Sequence, residues 1–171
     1  MEFIIRQTNS SDIDKILELH RKCFDHGDHW YKYMMQQFID ESYCIEYNNY
    51  IVGVLLHGTI IPCTIQDKLV PFTFTGREFV KHNKDKQANY GITMICVDPN
   101  YRRKGLATKL IEHYHNNILN TYDTICLFVR QSNISAQKLY EKMGYTSIGY
   151  VVDKYYFPIE NGLFYIRYNK E

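Results

Sequence analysis

The chain has 171 residues, of which 45% are hydrophobic and 15% aromatic, and carries a formal net charge of +1. That is enough apolar material for one domain with a real core, and it excludes a disordered chain. The balanced charge gives no reason to expect nucleic acid or an anionic membrane as a partner, so any functional charge must be local.

From the N-terminus, Phe3 to Arg6 reads as a short strand, and Thr8-Asn9-Ser10-Ser11 offers helix N-caps. Ile13, Ile16, Leu17, His20 and Phe24 then mark one face of an amphipathic helix, which Asp25-His26-Gly27-Asp28-His29 breaks. A second short helix is expected from Trp30 to about Ile39, with Trp30, Met34, Met35 and Phe38 inward. Ser42 to Tyr47 and Tyr50 to His57 are strands, and Asn48-Asn49, which tolerates positive φ, joins them as a two-residue hairpin turn. The stretch 58–89 is the least legible. Val70 to Gly76 reads as extended, His82 to Gln87 as a polar loop tip, and the whole as an insertion.

The apolar, β-branched run Ile92 to Val97 predicts a buried strand, and Asp98-Pro99-Asn100 ends it. Arg102, Arg103 and Lys104 lead into Gly105, after which Leu106, Leu110, Ile111, Tyr114 and Ile118 recur at helical spacing. Thr124 to Arg130 is the next apolar strand, and two such runs around one helix suggest a parallel pair buried on both faces. Either Ser132 or Asn133 caps a further helix with Ile134, Leu139, Tyr140 and Met143 apolar, and Gly144 ends it. Two strands close the chain, about Ser147 to Asp153 and Leu163 to Tyr168, joined by a loop holding Pro158 and Asn161-Gly162. With no internal repeat, low-complexity tract or interdomain linker, residues 1–171 read as a single domain.

Strand, turn, basic loop, glycine and helix together make an anion site. The first N–H groups of a helix lack partners inside it, and the helix dipole is positive there. Gly105 and Ala107 let a large anion approach those amides, and Arg102, Arg103 and Lys104 add positive charge, so a diphosphate is the natural guest. The blander reading is a solvated basic turn, and spacing alone does not decide between them. The five cysteines are odd in number and lack a C-x-x-C, which suggests reduced thiols and an intracellular, cytoplasmic location. The N-terminal residues do not read as a signal peptide, and no apolar run approaches membrane-spanning length. Cys23-x-x-His26-x-x-His29 is not a standard zinc spacing and has no evident fourth ligand, so no metal is expected.

Arg102-Arg103-Lys104-Gly105-Leu106-Ala107 resembles the R/Q-x-x-G-x-G/A signature of the GNAT superfamily of acetyl-CoA-dependent N-acetyltransferases. Asn133-Ile134-Ser135-Ala136-Gln137-Lys138-Leu139-Tyr140-Glu141-Lys142-Met143-Gly144-Tyr145 resembles the family's second segment, N-x-x-A-x-x-L-Y-x-x-x-G-F/Y. The resemblance covers the C-terminal half, while the N-terminal half matches only in element order. It implies an α/β fold: a central mixed, mostly antiparallel sheet with a splayed parallel strand pair, flanked by about four helices. It further implies that Ile95 and Val97 offer backbone hydrogen bonds to the pantetheine arm of acetyl-CoA and that Asn133 touches that arm. Arg102 and the run Arg103, Lys104, Gly105, Leu106, Ala107 and Thr108 would hold the diphosphate.

An amine attacking a thioester builds negative charge on the carbonyl oxygen, best met by a fixed N–H, here of Ile95 or Cys96. The departing thiolate needs a proton, and Tyr140 is the candidate general acid, with a plain core tyrosine as the alternative. Leu127-Phe128-Val129-Arg130-Gln131-Ser132-Asn133 and Lys154-Tyr155-Tyr156 resemble segments of protein N-terminal acetyltransferase catalytic subunits. Phe128 stands where one branch has a catalytic His, so that mechanism does not carry over. Tyr155 and Tyr156 would hold the acceptor peptide, and Asp25 and His26 lie in a loop that borders the acceptor site in this superfamily. The acceptor is then a peptide α-amine, or a small amine such as an amino sugar or polyamine, unless the chain only binds acyl-CoA without catalysis. A monomer or homodimer is expected, with room for an auxiliary subunit.

Overall fold

A computed structural model describes residues 2–24, 32, 35–59, 61–65, 68–72, 90–122, 124–156 and 159–168, with the backbone alone described at 59, 61–65, 68–72, 148–149 and 151–156. The elements in order are β1 (Ile4–Gln7), α1 (Ile13–Cys23), β2 (Tyr43–Tyr47), β3 (Tyr50–Thr59), β4 (Ile61–Ile65), β5 (Lys68–Phe72), β6 (Tyr90–Val97), α2 (Leu106–Ile118), β7 (Thr124–Arg130), α3 (Ile134–Lys142), β8 (Thr146–Tyr156) and β9 (Ile159–Tyr168). Among the described residues, seven strands form one sheet in the order β1-β2-β3-β6-β7-β9-β8, and β4 and β5 pair antiparallel in a separate two-stranded sheet. The large sheet is antiparallel in its β1–β2, β2–β3, β7–β9 and β8–β9 pairs. β6 and β7 run parallel, as two apolar strands flanking one helix must. Their ladder covers Tyr90↔Ile125, Gly91↔Cys126 and Ile92↔Leu127. No helix among the described residues is long and apolar enough to cross a membrane.

The chain divides into two compact units, with β6 passing from one to the other. The first comprises residues 1–58 and 94–117. Asn9 opens its first helical turn with a capping box: its side chain accepts from the Ser11 N–H, while Asp12 accepts from the Asn9 N–H at 3.0 Å. Asp12 and Glu46 both accept from Arg6, at 2.7–2.8 Å, which ties β1, the helix start and β2 together. Ile16, Leu17 and Leu19 of α1 join Met35, Ile39, Cys44, Ile51, Val54, Leu56, Met94 and Cys96 in one buried cluster. Asn48 (φ 49°) and Asn49 (φ 64°) form the expected hairpin turn with both residues left-handed.

The second unit comprises residues 59–93 and 118–171. Cys126 and Phe164 are buried there with Phe128 and Ile166 against them. Asn133 caps α3 by accepting from the Ala136 N–H at 3.1 Å. Gly144, at φ +85°, ends α3: its N–H donates to the Glu141 carbonyl, and the Tyr145 N–H reaches back to that of Tyr140 at 3.0 Å.

Several expectations are corrected. Leu19, outside the predicted α1 face, is buried, because it faces the cluster that Met35 and Ile39 complete. His115, beside the predicted α2 face, is buried as well, and Ile118 at the end of that face is half-buried. Ile134 is 53% exposed, because it occupies the first position of a nine-residue helix whose buried residue is Tyr140. β8 and β9 run on to Tyr156 and from Ile159, so Asn161-Gly162 lies in a strand rather than a loop, held by the Val151↔Gly162 and Tyr155↔Glu160 pairs. Residues 35–38 are helical and continue into a 3-10 turn, Ile39–Glu41; Trp30, Met34 and residues 82–87 lie outside the described residues.

Candidate active site

In the first unit the site is built where β6 ends. The Asp98 N–H donates to the Val52 carbonyl at 2.9 Å, and the Asp98 carboxylate accepts from the Asn100 N–H at 2.9 Å. Pro99–Tyr101 then forms a 3-10 turn, and Arg102 returns to extended backbone. Arg103 (φ 64°) and Gly105 (φ 75°) are both left-handed, a reversal that glycine adopts freely and arginine does not. The Gly105 carbonyl accepts from the Lys109 N–H at 3.0 Å, so α2 begins immediately after it. The N–H groups of Leu106, Ala107 and Thr108 occupy the first turn, where a helix supplies no acceptor. A Cβ on Gly105 would meet nothing within 4 Å, so this position opens onto empty space. Arg102, Arg103, Lys104 and Gly105 are exposed, while buried Leu106 anchors the helix start. Lys104 Nζ lies 5.9 Å from the centre of the Tyr101 ring. Exposed cations, first-turn amides and open space at Gly105 fit a diphosphate.

The strand end is braced from two sides. Arg102 Nε donates to the Val97 carbonyl at 3.2 Å, and Cys23 Sγ donates to the same oxygen at 3.4 Å. Both lone pairs of that carbonyl are therefore engaged, and Arg102 turns part of its guanidinium inward rather than toward a ligand. Cys96 and Val97 are buried and Ile95 half-buried. Cys96 and Arg102 beside Cys23 hold its thiol below the usual range, whereas Cys23 and full burial push the Cys96 thiol well above it.

In the second unit, Asn133 Oδ1 accepts from the Ala136 N–H and from Ser135 Oγ, both at 3.1 Å. Its role as a cap uses the side-chain oxygen and leaves the amide NH2 as the group to face a ligand. Tyr140, 4% exposed, has its ring tilted against Tyr145 (centroids 5.9 Å apart) and Tyr165 (6.3 Å). The Tyr165 hydroxyl donates to Glu141 at 3.1 Å. Burial raises the Tyr145 phenol well above its ordinary range, with a smaller push in the same direction from Tyr140. Tyr155 and Tyr156 lie in β8, paired in register with Glu160 and Ile159, so they belong to a strand rather than to the loop expected between the last two strands. Asp25 and His26 lie outside the described residues. His26 and His29 of the Cys23 motif do too, and among the described residues no three His, Cys, Asp or Glu side chains could hold a metal ion.

One cluster had no signal in the sequence. The Glu160 carboxylate accepts from Arg130 Nη1 (2.8 Å), the Ser132 N–H (2.9 Å) and Ser132 Oγ (3.1 Å). Arg130 first, and Ser132 after it, hold the Glu160 carboxyl below its usual range. Glu160 sits in a predicted loop, thirty residues from Arg130, and nothing local marks the pair.

Residues 64–161 match the acetyltransferase (GNAT) domain family, more than half of the chain. The chain belongs to the GNAT acetyltransferase family. The acetyltransferase is 27% identical over 158 residues to an N-alpha-acetyltransferase of Saccharolobus solfataricus, covering 89% of this chain and 87% of that protein. It superposes on Ard1 from Thermoplasma volcanium with a TM-score of 0.76 at 14% identity, with both chains covered in full. It superposes on a chain of the NatC complex bound to Gag peptide and CoA with a TM-score of 0.71 at 20% identity, covering 99% of this chain and 100% of that one. At these identities the two structures establish the fold of the acetyltransferase and nothing finer.

Proposed function

We propose that this acetyltransferase moves the acetyl group of acetyl-CoA onto the α-amine of a protein or peptide N-terminus. The observation that carries the donor half is the 102–108 loop, where three exposed cations and the first amides of α2 surround open space at Gly105. The acceptor half is supported by the likeness to an N-alpha-acetyltransferase over most of both chains. Arg103 to Thr108 take the diphosphate, with Arg102 bracing the strand end behind them. The Asn133 amide and the backbone of β6 take the pantetheine arm, and Tyr155 and Tyr156, with Asp25 and His26, take the acceptor.

Acetyl-CoA supplies a thioester, and the protein's part is to orient it and handle charge. The neutral amine attacks the carbonyl carbon, the N–H of Ile95 or Cys96 meets the developing oxyanion, and the C–S bond breaks. Tyr140 donates its phenolic proton to the departing sulfur and regains one from the acetylated nitrogen by way of solvent. An α-amine, with a pKa of about 7.7–8.0, is roughly a tenth neutral at pH 7, whereas a lysine at about 10.4 is under a thousandth neutral. An α-amine acceptor therefore needs no strong base. Residues 1–171 act as one catalytic domain, with 58–89 an inserted segment, in a reducing compartment where Cys23, Cys44, Cys96 and Cys126 stay free.

The test is thiol release from acetyl-CoA, checked by product mass, with peptides of varied first residue, a polyamine and an amino sugar. Peptides are expected to be acetylated at the N-terminus and to outpace the small amines. Faster turnover of a small amine overturns the acceptor. Coenzyme A binding without thiol release from any amine overturns catalysis.

A further inference from the structure

We infer that Glu160 is a positioning residue that holds the β7–α3 turn in the shape that presents Asn133 to the acyl donor and ties that turn to the strand carrying Tyr155. The inference rests on the donor reading above. The turn from Arg130 to Asn133 is closed internally by the Asn133 N–H to the Arg130 carbonyl (3.0 Å) and the Ile134 N–H to the Ser132 carbonyl (2.9 Å). It is then gripped from β9. Both Glu160 oxygens are used, one by Arg130 Nη1 and Ser132 Oγ, the other by the Ser132 N–H. Next to it, the Asn161 carbonyl accepts from the Gln131 N–H at 3.1 Å, and Asn161 Nδ2 donates to Gln131 Oε1 at 2.9 Å. Gln137, one turn into α3, donates to the carbonyls of Arg130 (3.2 Å) and Gln131 (2.8 Å).

These bonds fix the orientation of Ser132, and Ser132 sets that of Asn133. The main chain of Glu160 is also the register partner of Tyr155. One residue thus holds the pantetheine-facing turn through its side chain and the acceptor-facing strand through its backbone. Helix stability does not call for this. The ends of α3 are already satisfied by the Asn133 cap and the Gly144 terminus, and a partly exposed ion pair adds little to stability. A carboxylate suits this place because Arg130 Nη1 and the Ser132 N–H, which can only donate, sit on different oxygens. An amide in its place would turn an NH2 toward at least one of them.

The experiment is calorimetry with coenzyme A and steady-state kinetics on wild type, E160Q, S132A and the double variant. E160Q is expected to raise both the coenzyme A Kd and the acetyl-CoA KM about tenfold, with kcat within about threefold of wild type. S132A is expected to shift both in the same direction by about threefold, and to add less than about twofold on top of E160Q, because the two act through one another. An unchanged Kd in E160Q overturns the inference, as does a fall in kcat with Kd and KM unmoved, or full additivity of the two changes. Should E160Q fail to fold, S132A alone decides by the same criterion. A wild-type chain that gives no heat with coenzyme A refutes the donor reading itself, whereas wild-type binding matched by E160Q refutes only the role of Glu160.

Discussion

Gly105→Ala separates the anion-site reading from a stability effect. The residue has φ +75°, where an L side chain costs about 1–2 kcal/mol. A Cβ there would clash with nothing, since no heavy atom lies within 4 Å, so the stability loss is limited to that backbone strain. Binding behaves differently. If the diphosphate seats against the first amides of α2, the methyl occupies space the ligand needs, and coenzyme A affinity falls at least about tenfold, or about 1.4 kcal/mol. Gly144→Ala supplies the matched control. It has the same handedness at φ +85°, and its Cβ would be in ordinary contact with the Arg167 side chain, at 3.7 Å and beyond. Both variants should lose similar stability in urea denaturation, and only Gly105→Ala should lose heat in calorimetry with coenzyme A. Equal affinity in the two variants, or a Gly105→Ala chain that binds like wild type, would refute the placement of the diphosphate.

Tyr140→Phe keeps the ring packing against Tyr145 and Tyr165 and removes the proton. It should lower kcat by about a hundredfold or more while leaving the coenzyme A Kd within about twofold, and equal losses in both would count against an acid role. His57 is buried, and burial lowers its pKa from 6.5 to about 4. The unfolded chain therefore takes up a proton first as pH falls. The stability from keeping His57 neutral is complete above about 6.5 and lost between there and about 4, up to roughly 3 kcal/mol. Urea denaturation of wild type against His57→Gln should show a steeper fall in that window for wild type, and parallel curves would contradict it. Burial pushes the Cys44 and Cys126 thiols up to about 12, whereas Cys96 and Arg102 lower that of half-buried Cys23. Iodoacetamide on native protein should modify Cys23 ahead of Cys44, Cys96 and Cys126, and Arg102→Met should slow it. Peptide mapping that finds Cys44 or Cys126 modified first would refute the assignment.

What was legible in the sequence was local. The order of β6, basic loop and α2 could be read because a β-branched run, a Pro turn and a helical stripe each act over a few residues. The Asn133 cap and Gly144 terminus could be read for the same reason, since each satisfies backbone groups within one helical turn. The two signature segments stood on those same residues. What stayed hidden depended on partners distant in the chain. Leu19 lies off the predicted α1 face, and its burial follows from what covers it. Asn161-Gly162 carries turn chemistry, yet register with β8 holds it in a strand. The Arg102 and Cys23 bonds to one carbonyl likewise required the folded chain.

The amino-acid order alone thus determined where β6 ends and where α2, β7 and α3 run, because caps, turns and periodicity are short-range forces. Only the tertiary structure decided which side chains brace them. Glu160 meets Arg130 across thirty residues of sequence, and such a pairing comes from sheet register and packing rather than from any local preference.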